Sequence, residues 1–198
     1  MNKNIESDLR RAKVLLKQKR IVDAIAVLES LRTKHPDEFE VVTLLGFSYL
    51  MIGDGNRALD MLSYASALRP GNIIVNNAIG LILARNGDFD RALEFFEWTL
   101  YLDPMNIEAL RSRGGVFVQL GRFDEAIREW KKLGEEAEEM IEVQYNLGFI
   151  YEHRNDFANA ERHYRQVLML PDADDRHELA RRGLARIAEG RGRPEHGE

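Results

Sequence analysis

The residue types able to do chemistry in this chain are few and scattered. It contains no cysteine, which removes disulfides, thiolate zinc sites and a thiol nucleophile. Of five histidines, only His153 and His163 fall close together. A metal there would need a third ligand, Glu152 or Asp156; the simpler reading is two surface histidines. Gly53-Asp54-Gly55 and Gly114-Gly115 have no strand before them, so neither reads as a phosphate-cradling loop. An acidic run, Glu135, Glu136, Glu138, Glu139 and Glu142, reads as a solvated face or as a dock for a basic partner segment. These residues predict no enzyme, no cofactor and no metal.

The elements that must position them are set by an internal repeat. Alanine recurs at Ala24, Ala58, Ala92, Ala126 and Ala160, each 34 residues after the last. Gly46, Gly80, Gly114 and Gly148 keep the same spacing, as do Pro36, Pro70 and Pro104. A large residue follows each alanine by four: Leu28, Leu62, Phe96, Trp130 and Tyr164. Several residue types sharing one period and phase mark a repeat array. The repeats are 5–38, 39–72, 73–106, 107–140 and 141–174. Each has room for two helices of about three turns, parted by a turn such as Asn86-Gly87-Asp88 and ended by proline. The glycine lies mid-way along the first helix, where it costs about 1 kcal/mol. It is expected to face the alanine of the second helix and let two backbones approach. Residues 175–189 predict a capping helix with Leu179, Leu184 and Ile187 on one side; the tail 190–198 predicts disorder.

Charge limits the partners. Residues 1–34 carry net +5 and residues 35–175 net -12. An acidic body does not suit phosphate tracking, so nucleic acid is not expected. The first twenty residues lack the apolar core of a signal peptide, and the longest apolar stretch, Ile73 to Ala84, is too short to span a bilayer. A cytoplasmic location fits these features.

The repeat resembles the tetratricopeptide family, whose pattern is W-x2-L-G-x2-Y…A-x3-F…P. Repeat two matches through Val42, Leu45, Gly46, Tyr49, Ala58, Leu62 and Pro70; repeat five through Gln144, Leu147, Gly148, Tyr151, Ala160 and Tyr164. The likeness covers residues 5–174. Departures are Arg11 and Ala12 in repeat one, Arg113 for leucine and Glu138 for proline in repeat four, and Pro171 one place early. Arg113 must either snorkel outward or meet an acid.

The resemblance implies an all-α, right-handed superhelical solenoid: a single domain over 1–189 whose first helices line a concave, ligand-binding groove. Carried over place by place, that groove would hold Thr43, Phe47, Met51, Asn77, Leu81, Arg85, Arg111, Tyr145, Asn146 and Phe149. It is apolar at its centre and would suit an amphipathic or extended apolar segment. The carboxylate clamp of one family subset is not matched: the nearest set, Arg111, Gly115, Asn146, Arg176 and Ala180, lacks its first asparagine and last arginine. On the outward face of the second helices, Glu129, Lys132, His163 and Gln166 read as solvated. Met61, Tyr64, Phe95 and Trp98, extended by Tyr101, read instead as an apolar patch, the site of a homodimer or second partner. The implied function is a non-enzymatic module binding a protein or peptide. A self-assembling scaffold, or a secretion-type chaperone for a dedicated client, is the alternative.

Overall fold

The computed structural model describes residues 3–171 and 175–191. Its helices are α1 (Lys3–Lys17), α2 (Ile21–Lys34), α3 (Phe39–Met51), α4 (Gly55–Leu68), α5 (Ile73–Arg85), α6 (Phe89–Leu102), α7 (Ile107–Gln119), α8 (Phe123–Lys131), α9 (Ile141–His153), α10 (Phe157–Met169) and α11 (Arg176–Arg191). A 3-10 helix, Gly134–Glu139, lies between α8 and α9. There is no strand among the described residues. None of the described helices is long and apolar enough to cross a membrane. The helices pair within the 34-residue frame. They fall into two compact units divided after Pro104: α1 to α6, and α7 to α11.

The turn inside each repeat has one backbone signature. The fifteenth place is left-handed throughout, with φ of 59° at Lys19, 80° at Gly53, 81° at Gly87, 70° at Gly121 and 57° at Asn155. Glycine reaches this region freely and asparagine at modest cost. The next residue opens the second helix. The Asp54 and Asp156 side chains accept the backbone N–H of Arg57 at 3.0 Å and of Asn159 at 3.2 Å, satisfying a donor the helix leaves unpaired. An ion pair spans the same three residues in four repeats. It runs acid to base at Asp54–Arg57 and Asp88–Arg91, and base to acid at Arg20–Asp23 and Arg122–Glu125.

The glycines have a different job from the one expected. A Cβ on Gly46 would lie 2.6 Å from Leu62; on Gly80, 2.7 Å from Phe96; on Gly114, 2.2 Å from Trp130; on Gly148, 2.6 Å from Tyr164. Each therefore faces the large side chain four residues beyond the alanine, not the alanine. The backbone is left bare so that a ring or leucine can lie on it; the alanines, fully buried, pack beside that contact. Ala12 holds the glycine place in repeat one, whose large residue is Leu28.

The C-terminal unit departs from the frame at the places where its sequence does. The second helix of repeat four stops at Lys131 after 9 residues, shorter than the three turns expected. Gly134 is left-handed, with φ of 57°, and the 3-10 segment takes over. Arg113, where the family carries leucine, meets an acid: its Nη2 lies 2.6 Å from Glu129 Oε2, and both side chains are nearly buried. Lys132 donates to the other carboxylate oxygen at 2.8 Å. Glu129 is thus not a solvated residue; it neutralises the arginine.

His163 is not a surface residue either. It is 8% exposed and stacks on Tyr151 with ring centroids 5.4 Å apart. Its Nδ1 donates to Gln144 Oε1 at 2.8 Å and its Nε2 accepts from Arg162 at 3.0 Å. Gln144 Nε2 passes the chain on to the Ala137 carbonyl at 2.8 Å. This relay ties α10 to α9 and α9 to the 3-10 segment. Burial first, and Arg162 second, push the imidazole down to about 4.

The cap helix completes the last repeat. Tyr164 is fully buried between Gly148 and Gly183, whose Cβ would lie 2.4 Å from the ring. Its hydroxyl donates to Glu152 at 2.6 Å, and Arg186 holds the same carboxylate through Nε at 2.6 Å and Nη2 at 2.8 Å. Burial opposes ionisation of Glu152, yet Arg186 and Tyr164 hold its carboxyl below the usual range. Ala180, Leu184 and Ile187 face this core, while Leu179, expected to join them, is exposed. Gly190 and Arg191, expected in the tail, belong to α11; residues 192–198, expected to be disordered, lie outside the described residues.

Three outcomes follow from these contacts, each read by urea denaturation. Gly80→Leu costs about 3 kcal/mol, because Phe96 occupies the space the side chain enters; melting like the parent would refute the packing. Arg113→Leu alone costs about 3 kcal/mol by leaving Glu129 underpaired, whereas Arg113→Leu with Glu129→Leu stays within about 1 kcal/mol of the parent. The third concerns pH. The folded His163 titrates below its unfolded value, so the unfolded chain takes up the proton first as pH falls from about 6.5 to about 4. Stability is full above that window and declines across it by up to about 3 kcal/mol. His163→Gln removes that part of the decline.

Candidate protein-interaction surfaces

The residues expected to line the groove divide between the two units. In the N-terminal unit, Thr43, Phe47 and Met51 lie along α3, and Asn77, Leu81 and Arg85 along α5. Their spacing of about one helical turn puts each set on one side of its helix. Phe47 is half-buried, Met51 is 59% exposed and Leu81 is 37% exposed. Ile74, at 68%, adds another open apolar side chain on α5. Asn77 is buried within the packing. Toward their C-terminal ends the two helices share a cleft of about 550 Å3, bordered by Leu50, Gly53, Ile82 and Arg85.

In the C-terminal unit the corresponding side chains are more engaged. Arg111 on α7 is held by two acids, pairing with Glu142 and lying 3.0 Å from Glu108; its charge is already met. Asn146 on α9 is half-buried. Tyr145 packs against Tyr164 at 5.9 Å, with the Arg176 guanidinium 5.6 Å above its ring. Phe149 sits in an aromatic cluster, edge-on to Phe123 at 6.2 Å and 4.2 Å from His153. These rings keep partly exposed edges but are braced by neighbours.

The residues expected to form an outward patch on the second helices lie in the N-terminal unit. Met61 and Phe95 are half-buried; Tyr64, Trp98 and Tyr101 are exposed. Trp98 stacks on Tyr101 with centroids 5.4 Å apart and planes 19° from parallel. Its indole N–H donates to the Pro70 carbonyl at 2.9 Å. One repeat earlier, the Tyr64 hydroxyl donates to Asp37. Both aromatics thus brace the turn that enters their own repeat while leaving ring surface in water. Repeats four and five place Lys132 and Gln166 there, and neither offers such a ring.

Among the described residues no three of His, Cys, Asp and Glu cluster to hold a metal. Glu135, Glu136, Glu138 and Glu139 are exposed on the 3-10 segment. Sequence reasoning missed the relay of Arg162, His163, Gln144 and Ala137 and the cavity beside it. Their only traces were the glycine at 134 and the missing proline at 138.

Comparison with known proteins agrees with this architecture. Family models described as tetratricopeptide repeat match residues 6–38, 77–134 and 141–174. No curated protein matches the chain in sequence. Among solved structures, a tetratricopeptide repeat protein from Parabacteroides merdae ATCC 43184 is similar over 96% of this chain and 75% of that one, at 20% identity and a TM-score of 0.80. MamA from Desulfovibrio magneticus RS-1, residues 41 to the end, is similar over 85% and 96%, at 19% identity and 0.78. MamA of MSR-1 is similar over 85% and 97%, at 25% identity and 0.71. The matched segments fall on repeats one, three with four, and five, in the register that the contacts of glycine with ring set, and the chain belongs to the tetratricopeptide-repeat family.

Proposed function

We propose that this chain is a non-enzymatic adaptor that holds an apolar or amphipathic segment of a partner protein against the first helices of its repeats. Family membership makes the chain a protein-interaction or scaffold module; the finer reading rests on one observation. The first helices carry large apolar side chains, Met51, Ile74 and Leu81, exposed in the folded chain, where repeat packing alone would not require them. Exposed apolar anchors on neighbouring first helices suit helix-in-groove or extended-segment recognition, with a few side chains carrying most of the affinity. The self-assembling scaffold is the second reading, and the stacked Trp98 and Tyr101 are what favour it; there the occupant is another copy of this chain.

The double variant Phe47→Ser, Phe149→Ser separates these. Captured from lysate of the native host, the partner should bind this variant at least about tenfold more weakly in calorimetry, a loss of about 1.4 kcal/mol, with helicity nearly unchanged. Unchanged affinity moves the site off the first helices. Trp98→Glu tests the alternative: a fall in sedimentation mass at unchanged helicity supports the scaffold, and a parent that stays monomeric at high concentration removes it.

A further inference from the structure

Where α8 stops early, the C-terminal unit holds a cavity of about 360 Å3 beside the 3-10 segment. Full-length second helices in the earlier repeats run 14 residues; here the last turns are replaced by a segment that swings away. The cavity's apolar lining is Ile127, Trp130, Leu147 and Tyr151. Its buried polar groups, Gln144 and His163, are 3% and 8% exposed and satisfy one another through the relay to Ala137. They therefore ask nothing of a ligand and stiffen the floor.

The charges around it are the informative feature. The lining carries two cations, Lys131 and Arg162, against one acid, Glu138. This is unusual for its setting, since residues 35–175 hold 25 acids and 13 bases. Six other arginines of this unit are met by carboxylates: Arg111, Arg113, Arg122, Arg154, Arg165 and Arg186. Lys131 and Arg162 form no ion pair among the described residues, although acids are plentiful. The Arg162 guanidinium is steadied by His163 Nε2 at 3.0 Å, and that bond uses one of its five N–H donors. A planar, exposed guanidinium with N–H donors to spare, beside an apolar and aromatic lining, suits a carboxylate carried next to a bulky apolar group.

We infer that this cavity is a second binding site, which takes an acidic segment of a partner protein by seating a leucine or phenylalanine side chain against the half-buried Ile127, Leu147 and Tyr151 and its neighbouring Asp or Glu on Lys131 and Arg162. The site shares no residue with the first-helix surface proposed above and does not depend on it. It also shares no residue with the family's carboxylate clamp, being built from α8, the 3-10 segment, one side of α9 and α10.

The test uses the whole chain labelled with 15N and two capped pentapeptides, Asp-Glu-Leu-Phe-Asp and its charge-reversed partner Lys-Lys-Leu-Phe-Lys. The acidic peptide should shift the Trp130 indole N–H resonance saturably. Lys131→Glu should weaken that binding at least about threefold, and Lys131→Glu with Arg162→Gln at least about tenfold, the scale expected when a steering and pairing charge is reversed. Lys131 is exposed, so its variant folds as the parent does and keeps the test decisive. Phe47→Ser with Phe149→Ser should leave this titration unchanged, which separates failure of this site from failure of the first-helix surface. Equal binding of both peptides, no shift at Trp130, or a Lys131→Glu titration like the parent's overturns the proposal.

Discussion

A side chain lying on bare backbone is the contact on which the rest of this structure depends. In four repeats the eighth place is glycine and a leucine, phenylalanine, tryptophan or tyrosine occupies the room its missing Cβ leaves. The contact sets how near the two helices of a repeat come and at what height they cross. Everything else is timed to it: the buried alanine, the left-handed residue at the turn, and the proline two residues past the second helix. A glycine in mid-helix is a loss of about 1 kcal/mol in propensity, offset by burying a large side chain worth about 2–3 kcal/mol. The same device ends the chain, where Tyr164 is gripped from both sides by Gly148 and Gly183. The cap helix packs Ala180, Leu184 and Ile187 against this repeat.

The two units spend their polar residues differently. In the N-terminal unit, polar groups mostly fasten turns. Asn76, for instance, is buried, donates to the Pro70 carbonyl at 2.8 Å and accepts from Ser66 at 2.9 Å. In the C-terminal unit they repair departures from the repeat. Arg113 replaces a core leucine, and Glu129 and Lys132 convert that buried charge into a satisfied group, since an unpaired one there would cost several kcal/mol. His163 sits where an outward-facing residue was expected; burial keeps it neutral, and the relay through Gln144 keeps it hydrogen-bonded. The apolar surface left in water is correspondingly uneven: open on α3 and α5, braced by aromatic neighbours on α9.

Much of the fold was legible because a repeat reports itself several times over. Most helix boundaries and the turns follow from glycine, proline and alanine recurring in phase; the early end of α8 does not. The groove residues were legible only as places in a frame. Their sequence positions do not say that Arg111 is already held by Glu108 and Glu142, that Arg176 lies over Tyr145, or that Asn77 is buried. Likewise, the outward position of Glu129 and His163 is what the family frame implies. A shared frame cannot register a shortened neighbour helix or an arginine needing a partner across it.

What the sequence determined by itself is the repeat: its period, its phase, the residues that stop helices and the absence of thiol chemistry. Those follow from local preferences and from identities that recur every 34 residues. Only the tertiary structure decided what each glycine faces, which charges meet and where a cavity is left. Such outcomes depend on contacts such as Arg113 with Glu129, 16 residues apart, Trp98 with Pro70, 28 apart, and Arg186 with Glu152, 34 apart. Pairings at those separations are chosen by packing among helices, and no local pattern carries them.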